Sequence, residues 1–358
     1  MELLLFRFDQ WVKLYNCSEV RVDEVPLSDR QQIGNGTLML FLFFLFEVGI
    51  AFLAFCPSAL FLSQFLYLPC LIAIWKHRQH SCYQFLFFIG LTDILMLPIQ
   101  GLVSGIYSLF GVVFCANPPF NFVIASCGAA LFAAQTSANF FLALDRLIET
   151  ISPRLGKVLF ADGRAWRWTM ASSALGLYYF CMVKPALFAP TYGNWFMNPY
   201  QDYSSVSVEL KDYISPFAVY YDAFLSFGFP AIYLLFVVFF LRKQAIKKSI
   251  QQQQPTTIVV STNSLFKKVA NKNKNCSSGG DYAKIVFVQV AAINGINVAT
   301  FVLYTVMQYL PMSKSLIVVG FYFNYLMFGI PPIVYLFVNR TIRNECRAMP
   351  KKLVKFCR

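Results

Sequence analysis

Charge is scarce in this chain. Asp, Glu, Lys and Arg make up 13% of its 358 residues, about half the share found in a soluble domain. With 58% hydrophobic residues beside them, an ordinary soluble fold is excluded and the bilayer is left as the solvent. Histidine is scarcer still, with His77 and His80 alone, so catalysis by a buried histidine and the His-metal sites of membrane hydrolases have nothing to work with. Tyr221-Asp222 offers half of a paired-aspartate protease, but no Gly-x-Gly-Asp follows in a later segment, and a carboxylate dyad needs two. The ten cysteines include no paired C-x-x-C. Zinc is therefore not expected, and no metal or cofactor is called for.

What the chain has instead is long apolar runs, near 36 to 75, 83 to 110, 119 to 144, 168 to 190, 216 to 241, 284 to 308 and 315 to 338. Each meets the length of roughly 20 residues that crosses the hydrocarbon core. This predicts an all-α membrane protein, a bundle of seven transmembrane helices. The basic residues orient it: 23 of the 30 Lys and Arg fall at Lys76 and Arg78, between Arg146 and Arg167, between Arg242 and Lys284, and from Arg340 to Arg358. Short loops rich in Lys and Arg stay cytosolic, which puts residues 1–35 and the N-terminus outside and the tail 339–358 inside. A net charge of +13 would in a soluble chain raise nucleic-acid binding. Here topology accounts for it, and the expected basic partner is membrane lipid.

The first run is too long. From Gly36 to Trp75 only Glu47, Cys56-Pro57-Ser58 and Gln64 interrupt it, and a helix of that length would reach about 60 Å, twice the hydrocarbon thickness. A helical hairpin would make eight spans and bring the N-terminus to the basic side. Cys17 and Cys115 both fall on the predicted outer face, where they either bridge or remain two thiols. Asn16-Cys17-Ser18 and Asn35-Gly36-Thr37 are glycosylation sequons on that side. Asn275-Cys276-Ser277 and Asn339-Arg340-Thr341 fit the same pattern on the inner side.

Several short motifs, taken in order, resemble one family. They are Tyr15-Asn16-Cys17-Ser18, Leu66-Tyr67-Leu68-Pro69-Cys70-Leu71, Ser81-Cys82-Tyr83 with Gly90-Leu91-Thr92-Asp93, Val113-Phe114-Cys115, Leu144-Asp145-Arg146, Trp195-Phe196 with Pro199, and Asn339-Arg340-Thr341-Ile342-Arg343. Over roughly residues 15 to 347 the chain resembles the nematode serpentine receptors of class T, chemosensory seven-helix receptors. The resemblance implies signal transduction in sensory perception: a small-molecule ligand, a heterotrimeric G protein as partner, and residence in the plasma membrane or that of a sensory cilium. In such receptors the equivalent of Phe46-Glu47 runs straight into the Leu-Tyr-x-Pro-Cys stretch. Here residues 48–65 intervene, and joining Glu47 to Leu66 would restore one span, as a retained intron or a lineage insertion would explain.

Asp145-Arg146 stands where the third span meets the basic inner loop. In seven-helix receptors an acid-Arg pair there resembles the switch that meets the G protein, with Leu147 in place of the usual Tyr. Taken alone, the pair is an interfacial anchor or an Arg that trades partners between two packings. Pro332-Ile333-Val334-Tyr335 resembles the Pro-x-x-Tyr of rhodopsin-like receptors. Pro332 removes a helical hydrogen bond and lets the helix bend, giving either a hinge that reorients Tyr335 or a packing kink. Cys346 and Cys357, in the basic tail, are candidate palmitoylation sites.

Ionisable residues inside a membrane are rare and usually functional. Asp93, in the inner half of span two, is expected to join a network of spans two, three and seven with Asn139 and Asn324. Lys184 and Asp222 lie in the outer third of spans four and five, at ligand depth. They either pair, or Lys184 snorkels to the interface. Asn294 and Asn297 on span six and Tyr322 on span seven complete the candidate ligand set, in a surround of 39 Phe and 19 Tyr suited to small, mainly apolar molecules. Residues 242–283 are too polar to build a core and read as a disordered basic inner loop. The rival reading is a ligand-gated channel or carrier. Insect-type seven-helix channels place the N-terminus inside, against the charge count, and no carrier-type internal repeat is present.

Overall fold

The computed structural model describes residues 1–18, 20, 22–48, 67–203, 206, 208–252, 293, 295–304, 306 and 313–356. Short helices α1 (Glu2–Phe6), α2 (Phe8–Leu14) and α3 (Leu27–Arg30) lead into α4 (Ile33–Phe43), which loosens into a π turn at Phe44–Val48. α5 (Tyr67–Lys76) is followed by α6 (Ser81–Leu97), which passes through a π turn at Pro98–Val103 into α7 (Ser104–Phe110). Pro98 cannot donate a helical hydrogen bond, so the ladder widens there rather than breaking. Gly111, at φ 61°, then ends α7 in the left-handed region.

α8 (Pro118–Ile151) starts at Asn117, whose side chain accepts the Phe120 N–H, with prolines in its first turn. After it come α9 (Pro153–Phe160), α10 (Ala165–Met182), the hairpin of β1 (Leu187–Ala189) and β2 (Asn194–Phe196), and α11 (Pro216–Gln252). Strand register pairs Phe188 with Trp195. α12 (Gly295–Tyr304), α13 (Lys314–Gly329), α14 (Pro331–Val338) and α15 (Arg340–Phe356) complete the chain.

Among the described residues, Ser81–Phe110, Pro118–Ile151 and Pro216–Ile246 are long and apolar enough to cross a membrane, and a fourth span forms if α13 and α14, bent by 52°, act as one. Only 22% of the most apolar stretch of Pro216–Ile246 is buried by protein. Phe227 and Leu234 point outward from it. So much uncovered apolar surface is stable only in an apolar solvent, which makes this a mostly helical, multi-pass membrane protein.

The over-long first run divides into two described halves. Gly36 lies against Gly105, and Phe43 against Gly101. Further inward, Leu71 lies against Gly90 and Tyr67 reaches Asp93. The first helix thus advances from 43 to 67 while its antiparallel neighbour retreats only from 101 to 93. That interval offers about 12 Å, where a continuous helix would need about 36 Å. α4 and α5 are therefore two successive segments facing one neighbour, with Met39, Phe46 and Tyr67 in one cluster. At Gly36 and Gly105 the backbones meet so closely that a Cβ on Gly36 would fall 2.8 Å from the Gly105 carbonyl oxygen, a small-residue contact typical of membrane helices.

Candidate functional site

At the end of the bundle that the basic residues assign to the cytosol, here called the inner end and its opposite the outer end, a cavity of about 550 Å³ opens between α6, α8, α9 and α14. Asp145, Arg146, Glu149, Tyr335 and Asn339 line it. Asp145 is 2% exposed, so its charge needs partners. Ser81, the first residue of α6, donates its hydroxyl to both Asp145 oxygens at 3.1 and 3.2 Å. Arg146 Nε donates to Asp145 Oδ2 at 3.1 Å, and Arg146 Nη1 pairs with Glu149 at 2.7 Å. Both acids paired with Arg146 belong to its own helix, so α6 is joined to this cluster through the Ser81 hydroxyl.

α14 reaches the cavity because the chain bends at Pro331-Pro332. Tyr335 is buried against the inner core with Ile74, Leu86 and Leu142. Asn339 then caps α15, its Oδ1 accepting the Thr341 and Ile342 N–H groups at 3.1 and 3.2 Å. Lys76 pairs with Glu345 at 2.8 Å, tying α5 to α15. Cys346 packs on the same core, within hydrogen-bonding reach of the Cys70 thiol. Cys346 is a free, half-buried thiol, and an acyl chain there would have to displace that packing. Cys357 lies outside the described residues.

Asp93 is fully buried one helical layer further out. Tyr67 donates to its Oδ2 at 2.8 Å and Gln135 to its Oδ1 at 3.2 Å. The Tyr67 hydroxyl also touches the Phe328 carbonyl oxygen, so the network joins α5 to α6, α8 and α13. Asn139 and Asn324, expected as partners, do not take that part. The Asn139 amide nitrogen has no hydrogen-bond partner among the described residues, and Asn324 bonds to Tyr304. Tyr67 and Gln135 carried a weak signal, each a polar atom in an apolar run.

The outer end is closed by the N-terminal segment and the hairpin. Cys17 is disulfide-bonded to Cys115. Tyr213 and Tyr200 donate to the Leu14 and Asn16 carbonyls at 2.7 and 2.8 Å, and beneath them Trp11 and Tyr15 meet Phe122 edge to face, with Phe114 tilted against Tyr15. From the hairpin, Asn194 enters the bundle fully buried, donating to the Ile317 carbonyl at 2.9 Å and accepting from Tyr304 at 2.9 Å. That asparagine is a functional candidate missed in the sequence, where it reads as an ordinary turn residue.

Lys184 and Asp222 do not pair. Lys184 follows the end of α10 and donates to the Asp212 carbonyl oxygen. Asp222 sits half-buried on α11 near Tyr179 and Tyr221, with no ion pair among the described residues. A loop carbonyl lies within the lysine's reach, which satisfies the ammonium without a carboxylate. Asn297 is buried, Asn294 lies outside the described residues, and Tyr322 donates to Asn35 Oδ1. Asn35 therefore faces the bundle: its amide nitrogen is 3.2 Å from Gln32 Oε1 and stands where a side chain on Gly193 would be. A glycan on Asn35 would have to break these contacts. Asn16 is exposed, its Oδ1 accepting the Ser18 N–H at 2.9 Å.

Compared with known families, residues 2–266 and 256–355 match serpentine type 7TM GPCR chemoreceptor Srt, and together these ranges span nearly the whole chain. No curated protein matches the sequence. The chain belongs to the Srt family of serpentine seven-transmembrane chemoreceptors.

Proposed function

We propose that this protein is a sensory receptor of seven helices, N-terminus outside, that binds a small molecule in the outer half of the bundle and promotes nucleotide exchange on a heterotrimeric G protein. The observation that carries this reading is the convergence of Asp145, Arg146 and Tyr335 on one inner cavity. Its rim holds a charged pair, a bent helix and a capped amphipathic helix. A charge pair beside a cavity can exchange partners when an inserted segment supplies new ones, which is the kind of two-state element that coupling needs. Lys184, Asp222, Asn294, Asn297 and Tyr322 remain the proposed ligand set, with Asp222 its one carboxylate. The plasma membrane, in a sensory cilium, is the proposed location. Residues 48–65 are read as an inserted or intron-derived segment, tested by sequencing mature transcripts across codons 45 to 68.

The test of coupling is Arg146→Ala in the full-length receptor reconstituted with G protein. Exchange is expected to fall to the receptor-free rate while surface expression holds. Undiminished exchange would remove Arg146 from the coupling role. Protease protection of an N-terminal tag checks orientation independently, and a cytosolic tag would favour a channel or carrier.

A further inference from the structure

On the outer face, clear of the spans, a second cavity of about 400 Å³ lies between the N-terminal segment and the loop after the hairpin. Glu24 and Asp29 come from one wall and Asp202 from the other, and Val25 and Pro26 supply an apolar side. Asp202 Oδ1 accepts the Thr191 N–H at 3.1 Å, which fixes the carboxylate against the loop. Burial raises its carboxyl to about 6, while the Thr191 hydrogen bonds and the Arg30 and Lys314 charges act the other way. Tyr203 is 4% exposed, and its hydroxyl has no hydrogen-bond partner among the described residues, although it lies within electrostatic reach of Asp202, Glu24 and Arg30. A buried phenol ordinarily finds a partner. This one lines a cavity with carboxylates on both walls.

We propose that this vestibule binds a small organic cation, whose ammonium group donates to Asp202 and the Tyr203 hydroxyl while its carbon skeleton lies on Val25 and Pro26. The sign of the walls disfavours an anion: three carboxylates line the cavity itself, while the nearby cations Arg30 and Lys314 stand outside its lining, Arg30 Nη1 donating to the Gly111 carbonyl at 2.9 Å. A bare metal ion fits poorly, because no three Asp, Glu, His or Cys side chains converge on one point among the described residues. The volume is also more than ten times the share of one water molecule, about 30 Å³.

The site is separate from the bundle pocket, so its test is built to fail separately. Full-length receptor in lipid nanodiscs is titrated with radiolabelled benzylamine, with neutral benzyl alcohol as competitor. Saturable benzylamine binding, not displaced by benzyl alcohol, is expected. Asp202→Asn should weaken it about tenfold, the loss of one charge-assisted hydrogen bond. Tyr203→Phe, which keeps the ring and the fold, should weaken it about threefold to fivefold. Glu24, Asp29, Asp202, Arg30, Lys314 and Tyr203 are the charged and titratable groups around the cavity. Of these Asp202 is the one raised to about 6, so affinity should fall as pH drops through that value while the amine stays protonated. The proposal is overturned by absent saturable binding, by displacement with benzyl alcohol or calcium, or by Tyr203→Phe binding as the parent does. Loss in Asp222→Asn but not in Asp202→Asn would also overturn it, placing the amine in the bundle and leaving the receptor reading untouched.

Discussion

At the outer end Tyr200 and Tyr213 give their hydroxyls to backbone carbonyls at Asn16 and Leu14, and a disulfide joins Cys17 to Cys115. At the inner end the corresponding contacts are between charges: Arg146 with Asp145 and Glu149, and Lys76 with Glu345. The two ends differ in how readily a contact can be exchanged. A disulfide and a hydrogen bond to backbone have fixed partners, whereas an Arg at the edge of a cavity can take another acid with little loss. On the function proposed above, the outer end stays closed and the inner end changes partners.

The difference is broken most severely at the disulfide. It closes a loop of 98 residues, and Cys17→Ser should cost about 2–5 kcal/mol, read as a lower unfolding temperature and reduced surface expression. Next comes Tyr67→Phe, which leaves the buried Asp93 with Gln135 as its one hydrogen-bond donor among the described residues. A loss of about 2–3 kcal/mol is expected by thermal unfolding in nanodiscs. Asn194→Ala removes the bonds to Ile317 and Tyr304 and should cost about 1–2 kcal/mol, with faster proteolysis of the outer hairpin. The smallest effect belongs to the inner end: Asn339→Ala removes the cap of α15 and should cost about 1 kcal/mol, seen as faster amide exchange in Arg340–Phe356 and little change in the unfolding temperature.

Periodicity and composition carry the helices, because a bilayer demands about 20 apolar residues wherever the chain crosses it. The helices Ser81–Phe110 and Pro118–Ile151 contain the predicted runs 83 to 110 and 119 to 144. The bend before Tyr335 was legible for a similar reason, since proline acts on its own helix whatever surrounds it. Facing was not legible. The sequence groups Asp93 with Asn139 and Asn324, yet it meets Tyr67 and Gln135, and a rotation of one or two residues on a helix decides between such partners. For Lys184 the sequence offers Asp222 or the interface, while a backbone carbonyl at Asp212 takes its ammonium. No pattern in sequence marks a backbone oxygen as available. The double length of the first segment was visible, but its division into halves that share one face became clear only from the contacts of Gly36, Phe43, Tyr67 and Leu71.

Hydrogen–deuterium exchange on the full-length receptor in nanodiscs compares the two ends directly, without ligand or G protein. Stability differs between regions of one protein, and amide protection reports it. A closed outer end and a changeable inner end predict that amides of Phe8–Leu14 and Leu187–Phe196 stay protected well after those of Pro153–Phe160 and Arg340–Phe356 have exchanged. Equal protection at both ends, or earlier exchange at the outer end, would contradict the account.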